Sequence, residues 1–209
     1  TTLISPTGDG GFENGTTFPA NGWTLVNGAA NQWFIGPLAV PSAGTNSAYI
    51  SDNATGTTYT YNSVTSVAAT VHFYRDITFP AGESSITLSF KWKCNGESTF
   101  DYLTVFSVPT SVTPLVNVPA GAGSSWLNIP TSYPGAVILC TPPNLNLQTT
   151  YQTQTICLPP SFAGTTQRIV FMWSNDISVN NQPPGSIDEI SLASAPWRAV
   201  RHGCLPQCV

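Results

Sequence analysis

Apolar and polar residues alternate along much of this chain. Ile86, Leu88, Phe90 and Trp92 take every second position, with Thr87, Ser89, Lys91 and Lys93 between them. Successive side chains of an extended strand point to opposite faces, so this spacing predicts a half-buried strand with its polar side toward solvent. Val71 to Phe79 predicts a second strand, ended by Pro80, Ala81 and Gly82, and Phe100 to Val108 a third, in which Asp101 shares a face with Leu103 and Val105. Arg168 to Trp173 is apolar on both sides and predicts a central strand covered on both faces. The stretch from Pro109 to Pro143 is rich in Pro, Gly and Ser and predicts long loops interrupted by one or two strands. Helical periodicity is almost absent. Many strands at turn-punctuated spacing predict an all-β fold, an antiparallel two-sheet sandwich with one core over residues 8–193. Phe90, Trp92, Leu103, Val105, Ile169, Phe171, Ile190 and Leu192 are its expected core.

The last strand, Ser186 to Leu192, carries a carboxylate. In an unbroken strand Asp188 points the way Ile190 and Leu192 point, and a buried charge must be hydrogen-bonded, ion-paired or ligated to a metal. Only 6 Lys and Arg stand against 10 Asp and Glu, which makes a hard metal a serious candidate. Charged residues are 8% of the chain, far below the roughly 25% of ordinary soluble domains, so solubility rests on Thr, Ser, Asn and Gln. That bias, with 17 Gly, 18 Pro and 11% aromatics, suits an extracellular β module. A net charge of −4 argues against nucleic-acid binding, which needs clustered Lys and Arg. No apolar run approaches the ~18–20 residues that span a bilayer, and no signal peptide stands at Thr1, so the chain reads as a mature or excised fragment.

Five cysteines leave at least one free or paired outside the chain. Cys140 and Cys157 flank a Pro/Asn/Thr-rich loop and either close it or stay reduced. Without a Cys-x-x-Cys pair, and with His72 and His202 as the only histidines, a zinc site is not expected. Catalytic signals are equally thin. With His72 in an expected strand and His202 in the tail no triad suggests itself, no Gly-x-Ser-x-Gly element is present, and Glu97 with Asp101 is the carboxylate pair weighed for glycosidase chemistry.

Several segments in order resemble the cleaved-adhesin family. They are Gly11-Phe12-Glu13-Asn14-Gly15, Phe18-Pro19-Ala20-Asn21-Gly22-Trp23 and Asn46-Ser47-Ala48-Tyr49-Ile50-Ser51, then His72-Phe73-Tyr74-Arg75-Asp76 with Phe79-Pro80-Ala81-Gly82, then Gly96-Glu97-Ser98 through Asp101-Tyr102, and finally Ile187-Asp188-Glu189-Ile190. These are MAM-like jelly-roll modules of secreted bacterial surface proteins, including gingipain hemagglutinin-adhesin regions and adhesins of gliding bacteria. The resemblance implies a calcium-binding jelly roll serving adhesion or carbohydrate contact, as one module among neighbouring domains at the bacterial cell surface. It places calcium ligands at Glu13, at Asn46 and Ser47, and at Asp188. One departure is Gly11, where the family often has an Asp; Asp9 lies nearby, out of register.

Other readings stay open beside this one. Asp188 either ligates calcium or accepts backbone amides, since calcium takes six to eight oxygens and the first and last strands of a jelly roll can share one ion. Asp76 and Asp101 are expected in structural roles at the core edge, with a second ion site at Glu97 and Asp101 as the alternative. Arg75 and Asp76 face opposite ways and each needs another partner. Among six tryptophans, Trp92 and Trp173 read as core and Trp126 as the best exposed sugar platform, with Asn175 and Asp176 as polar ligand contacts. A glycan or cell-surface protein is the expected partner. A structural spacer and a polysaccharide-active hydrolase or lyase are the competing functions. Residues 194–209, with Pro196, Pro206, Cys204 and Cys208, read either as a linker toward a following domain or as a tail packed on the sandwich by Trp197.

Overall fold

The computed structural model describes residues 1–62, 68–116 and 132–196. Within these, eleven strands form in chain order: β1 (Thr2–Ile4), β2 (Thr24–Val26), β3 (Gln32–Gly36), β4 (Ser47–Ser51), β5 (Ala69–Thr78), β6 (Glu83–Cys94), β7 (Tyr102–Pro109), β8 (Val137–Ile138), β9 (Gln148–Cys157), β10 (Thr166–Asn175) and β11 (Ser186–Pro196). One sheet has the order β3-β4-β11-β6-β9, with β1 also pairing β11; the other runs β2-β5-β10-β7-β8. All pairings are antiparallel, and the two sheets make a jelly-roll sandwich. No helix among the described residues is long and apolar enough to cross a membrane.

The period-two pattern decides what fills the space between the sheets. All eight expected core residues are buried there, because alternate residues on facing strands are the only apolar surface each sheet can hide. Strand β10 lies between β5 and β7 and is covered on both sides: Ile169, Phe171 and Trp173 join the main core, while Val170 and Met172 join a smaller outer cluster with Tyr102, Phe106, Val108 and Tyr133. Phe73 sits at the centre of the core, stacked on Phe171 at 5.0 Å and met edge-on by Trp23 at 5.2 Å and Trp33 at 5.0 Å. Both tryptophans are fully buried, although each follows an Asn/Gly-rich turn in sequence.

Strand β11 departs from the expected regular alternation. Ile187 pairs with Trp92 and Asp188 with Lys91, then the register shifts, and Ser191 pairs with Ser89 and Leu192 with Leu88. Glu189 and Ile190 together stand opposite Phe90, with Glu189 at φ 49°; this is a β-bulge. The extra residue reverses the side-chain parity. Ile187, Ile190 and Leu192 all enter the core, and Asp188 points to the outer face of the sheet, beside Lys91, instead of sharing a side with Ile190.

The cysteines also differ from the loop-closing expectation. Cys94 and Cys140 are free and buried, and Cys157 is disulfide-bonded, to neither of them. Burial pushes the Cys140 thiol up to about 12, so it acts as a small core residue and not as a nucleophile. Strand β11 runs to Pro196, and Trp197 to Val209 lie outside the described residues, as does Trp126.

Candidate functional site

The segment between β3 and β4 gathers most of the residues expected around calcium. Ser42 and Ala43 donate their backbone N–H to Asp188 Oδ2 at 2.7 and 3.2 Å, and Glu189 N–H donates to Oδ1 at 2.7 Å. Three residues on, Thr45 and Asn46 donate backbone N–H to Glu13 Oε1 at 2.8 and 2.9 Å, and the Thr45 hydroxyl donates to Oε2 at 2.6 Å. Two carboxylates from opposite ends of the chain therefore clamp one loop. Ser47 is displaced from this arrangement: it is fully buried at the start of β4, where the Ser186 hydroxyl reaches it. The Asn46 side-chain amide turns to Thr45 Oγ1.

Asp188 and Glu13 live in different dielectrics. Burial pushes the Asp188 carboxyl up to about 6 against the pull of its three amides. Lys93 feels its charge: the Lys93 Nζ is buried between the rings of Tyr59 (5.3 Å) and Tyr151 (4.5 Å) and donates to the Ala39 carbonyl. Burial lowers the Lys93 pKa, partly offset by Asp188. The scarcity of cations that pointed to a metal is thus met at Asp188 by one lysine that the strand pattern had placed at the solvent. Glu13 lies near solvent; slight burial is outweighed by the bonds from Thr45 and Asn46, which hold its pKa below the ordinary value.

A recess of about 90 Å³ opens beside Glu13, bordered by Pro6, Thr7, Gly11, Ala43 and Gly44. Two glycines keep its oxygens accessible. A Cβ on Gly44 would stand 2.4 Å from Glu13 Oε1, and one on Gly11 would stand 2.2 Å from the Pro6 carbonyl oxygen. The contact at Gly11 also explains why this chain has no Asp there. Asp9 is engaged elsewhere, accepting from Ser5 N–H at 2.8 Å and pairing with Arg75 at 2.5 Å. Asp76 takes Arg168 at 2.7 and 2.9 Å, so Arg75 and Asp76 each find a separate partner. Glu13 is the one carboxylate bordering this recess, and both of its oxygens already accept protein donors from Thr45 and Asn46, so a hard cation would find one shared carboxylate there.

A second acidic group stands at one end of the sandwich. Glu97, Asp101 and Asp176 bring ligand atoms within 4.8 Å of one another, the one such trio of His, Cys, Asp or Glu among the described residues. Asp101 is fully buried and accepts the Tyr61 hydroxyl at 2.5 Å and the Asp176 N–H at 3.0 Å; burial, with Asp176 and Glu97 adding to it, moves its pKa up to about 6. The Asp176 carboxylate accepts Ser178 N–H and hydroxyl. Asn175, expected to contact ligand, is fully buried; its side chain joins Asn31, Trp173 and the Asp176 carbonyl, so it orders the loop and has no surface to offer. His72 is also sealed, its pKa lowered to about 3 by burial, with Tyr133 Oη 3.4 Å from Nε2.

A larger depression, about 480 Å³ and open to solvent, escaped sequence reading. Phe34 and Tyr49, paired across β3 and β4, form its floor on the outer face, because their neighbours Trp33, Ile35, Ala48 and Ile50 take the core side. The walls are Pro37 and Leu38 on one side and Thr16, Thr55 and Thr57 on the other. The alternation of Trp33, Phe34 and Ile35, all apolar, was the available signal: an outward aromatic on an edge strand.

No family model matches the chain, and no curated protein matches its sequence. Its fold, however, has been seen. The CBM22-1 xylan-binding domain from Paenibacillus barcinonensis Xyn10C superposes with a TM-score of 0.52 at 14% identity, over 95% of this chain and 97% of that chain. The Stig cyclase Fisc from Fischerella sp. TAU gives 0.50 at 13%, over 95% and 100%. A cleaved adhesin domain of Lys-gingipain from Porphyromonas gingivalis gives 0.45 at 14%, over 83% and 91%. The chain shares the jelly-roll sandwich that its sequence implied. A binding domain and a cyclase stand on the same architecture, so the fold leaves the activity to the site.

Proposed function

We propose that this chain is a non-catalytic, glycan-contacting adhesion module of an extracellular protein, with calcium as a structural cofactor held at the Glu13 recess. One observation carries the reading: the two carboxyls whose pKa is raised, Asp101 and Asp188, are sealed and hydrogen-bonded within the protein, whereas the open depression offers the half-buried Phe34 ring and threonine hydroxyls. Asp101 and Asp188 each accept several donors and expose no surface, so neither reaches a glycosidic oxygen. The depression over Phe34 and Tyr49 has no charged residue in its lining, and rings with hydroxyls suit a sugar's apolar face and its hydroxyl edge. The likeness of fold to a xylan-binding domain supports the same reading. Calcium would tie the turn at Gly11 to the loop at Gly44 through Glu13. Asn46 sits beside that recess through its backbone, while Asp188 serves the far side of the same loop with Lys93.

The test is a polysaccharide panel read in two ways, by binding in affinity gels and by new reducing ends. Retardation without cleavage is expected. Cleavage that Glu97→Gln abolishes would replace this reading with a hydrolase built on Glu97, Asp101 and Asp176, and absence of both binding and cleavage would leave a structural spacer.

A further inference from the structure

Resting on the glycan reading, the geometry points to a place and a ligand class: we propose that the depression on the β3–β4 hairpin binds an uncharged saccharide, with Phe34 as its platform and Pro37 and Leu38 as its side wall. Three observations meet there.

The first is the fixed floor. Tyr49 donates its hydroxyl to the Gly56 carbonyl at 2.6 Å, and the Phe34 ring lies so close to Gly56 that a Cβ there would stand 2.5 Å from it. The loop carrying Gly56 is itself tied down, with the Thr58 and Thr60 hydroxyls on Asp52 at 2.7 and 2.9 Å and the Thr55 N–H on Asn53 at 2.8 Å. An aromatic surface held this way loses little freedom when a ring stacks on it.

The second is a strained wall. Val40 sits at φ 51° with 73% of its surface exposed, in the left-handed region that a β-branched side chain rarely takes. Such strain persists only where the surroundings enforce it. Here they do so from beneath: Lys93 holds the Ala39 carbonyl, Val40 N–H closes a turn on Pro37 at 2.9 Å, and Asp188 holds Ser42 and Ala43. The result keeps Leu38, 43% exposed, in the wall of the depression and leaves Val40, two residues on, 73% exposed, where water alone would not favour them.

The third is the chemistry of the lining. Thr16 and Thr57 are exposed, as is Thr55, whose hydroxyl donates to Asn53 Oδ1 and keeps its acceptor side, and no Lys, Arg, Asp, Glu or His lines the cleft. Hydroxyls exchange hydrogen bonds with sugar hydroxyls as donor or acceptor, whereas a uronate or sialate carboxylate would find no cation to replace its lost hydration. The site therefore selects neutral sugars.

The experiment measures affinity for neutral polysaccharides (xylan, galactan, mannan, β-glucan) and for acidic ones (polygalacturonate, alginate) by gel retardation and calorimetry. Its variants are Leu38→Ala and Thr57→Asp, both exposed positions that spare the core, and Phe34→Ala. Thermal unfolding monitors each. At least tenfold weaker binding of a neutral polysaccharide by Thr57→Asp and Leu38→Ala, with unchanged unfolding midpoints, is expected. If the parent binds a polysaccharide and these variants bind it equally well, the placement is wrong while the glycan reading stands. Binding confined to acidic polysaccharides overturns the ligand class. If the parent binds none of the panel, the glycan reading falls and takes this inference with it.

Discussion

The Tyr61 hydroxyl donates a 2.5 Å hydrogen bond to Asp101 Oδ2 in a place where neither residue reaches solvent. Tyr61 also receives the Asn181 N–H at 3.0 Å, so one phenol couples the carboxylate that precedes β7 to the loop that precedes β11. Asp101 Oδ1 takes the Asp176 N–H, which brings in the loop after β10. One buried acid thus ties together three connections at the end of the sandwich. Tyr61→Phe should destabilise the fold by about 2–3 kcal/mol, the range for a hydrogen bond to a charged group, measured by urea unfolding at pH 7. A loss under a few tenths would mean that the loops hold without it.

Asp101 also sets a pH dependence of definite sign. Its folded pKa of about 6 lies above the roughly 3.9 of an unfolded Asp, so the folded state binds more protons between those values. Stability contributed by this group is therefore present below about pH 4 and declines as pH rises to about 6. Relative to Asp101→Asn, the parent should lose up to about 2–3 kcal/mol across that window. Parallel curves of unfolding free energy against pH for the two proteins would refute the assignment.

Lys93 and Asp188 should show energetic coupling although they make no direct ion pair. Lys93→Met keeps the stem packed against Tyr59 and Tyr151 but removes a buried cation that the Asp188 carboxylate acts on. A loss of about 2–4 kcal/mol is expected, with part of it recovered in the double variant Lys93→Met/Asp188→Asn. Strict additivity of the two changes would show that the lysine serves only the Ala39 carbonyl.

Backbone crowding separates two glycines. A Cβ on Gly10 would stand 1.8 Å from the Ile190 carbonyl oxygen, whereas one on Gly82 meets nothing within 4 Å and suffers only a φ of 79°. Gly82→Ala should cost about 1–2 kcal/mol. Gly10→Ala should exceed that clearly or prevent folding, because the first turn packs its backbone on the bulge of β11 and Ile190 N–H bonds Gly10 O at 2.9 Å. Thermal midpoints of the two variants give the comparison.

Calcium at the Glu13 recess is expected to raise the unfolding midpoint of the parent, since a ligand that binds only the folded state stabilises it by mass action. Glu13→Gln should abolish that rise, while lowering the midpoint without calcium by the loss of the Thr45 hydroxyl bond on Oε2, since the amide oxygen can keep the Thr45 and Asn46 N–H bonds. A parent whose midpoint ignores both calcium and chelator removes the metal from this account.

The two faces of β10 illustrate how far local pattern reaches, whereas the strand order within each sheet came only with the structure. Ile169, Phe171 and Trp173 against Val170 and Met172 could be read as a doubly covered strand because side-chain direction in a regular strand depends only on parity. The same rule misplaced Asp188. A single extra residue at Glu189 reverses parity, and whether a bulge forms depends on what packs against it, here the Gly10 carbonyl bonded to Ile190 N–H. Lys93 was misplaced for a related reason: its polar face was assigned to solvent, but the loop from Pro37 to Asn46 folds over it. Trp23, just before β2, and Trp33, in β3, are both buried against Phe73, which lies forty or more residues along the chain. So the sequence by itself determined the all-β class, the main core positions and the existence of carboxylates needing partners, since these follow from composition and period-two spacing. Only the tertiary structure decided which face Asp188 takes, that a lysine answers it, that Asn175 is sealed, and that Phe34 and Tyr49 floor an open cleft, because each depends on contacts between segments distant in the chain.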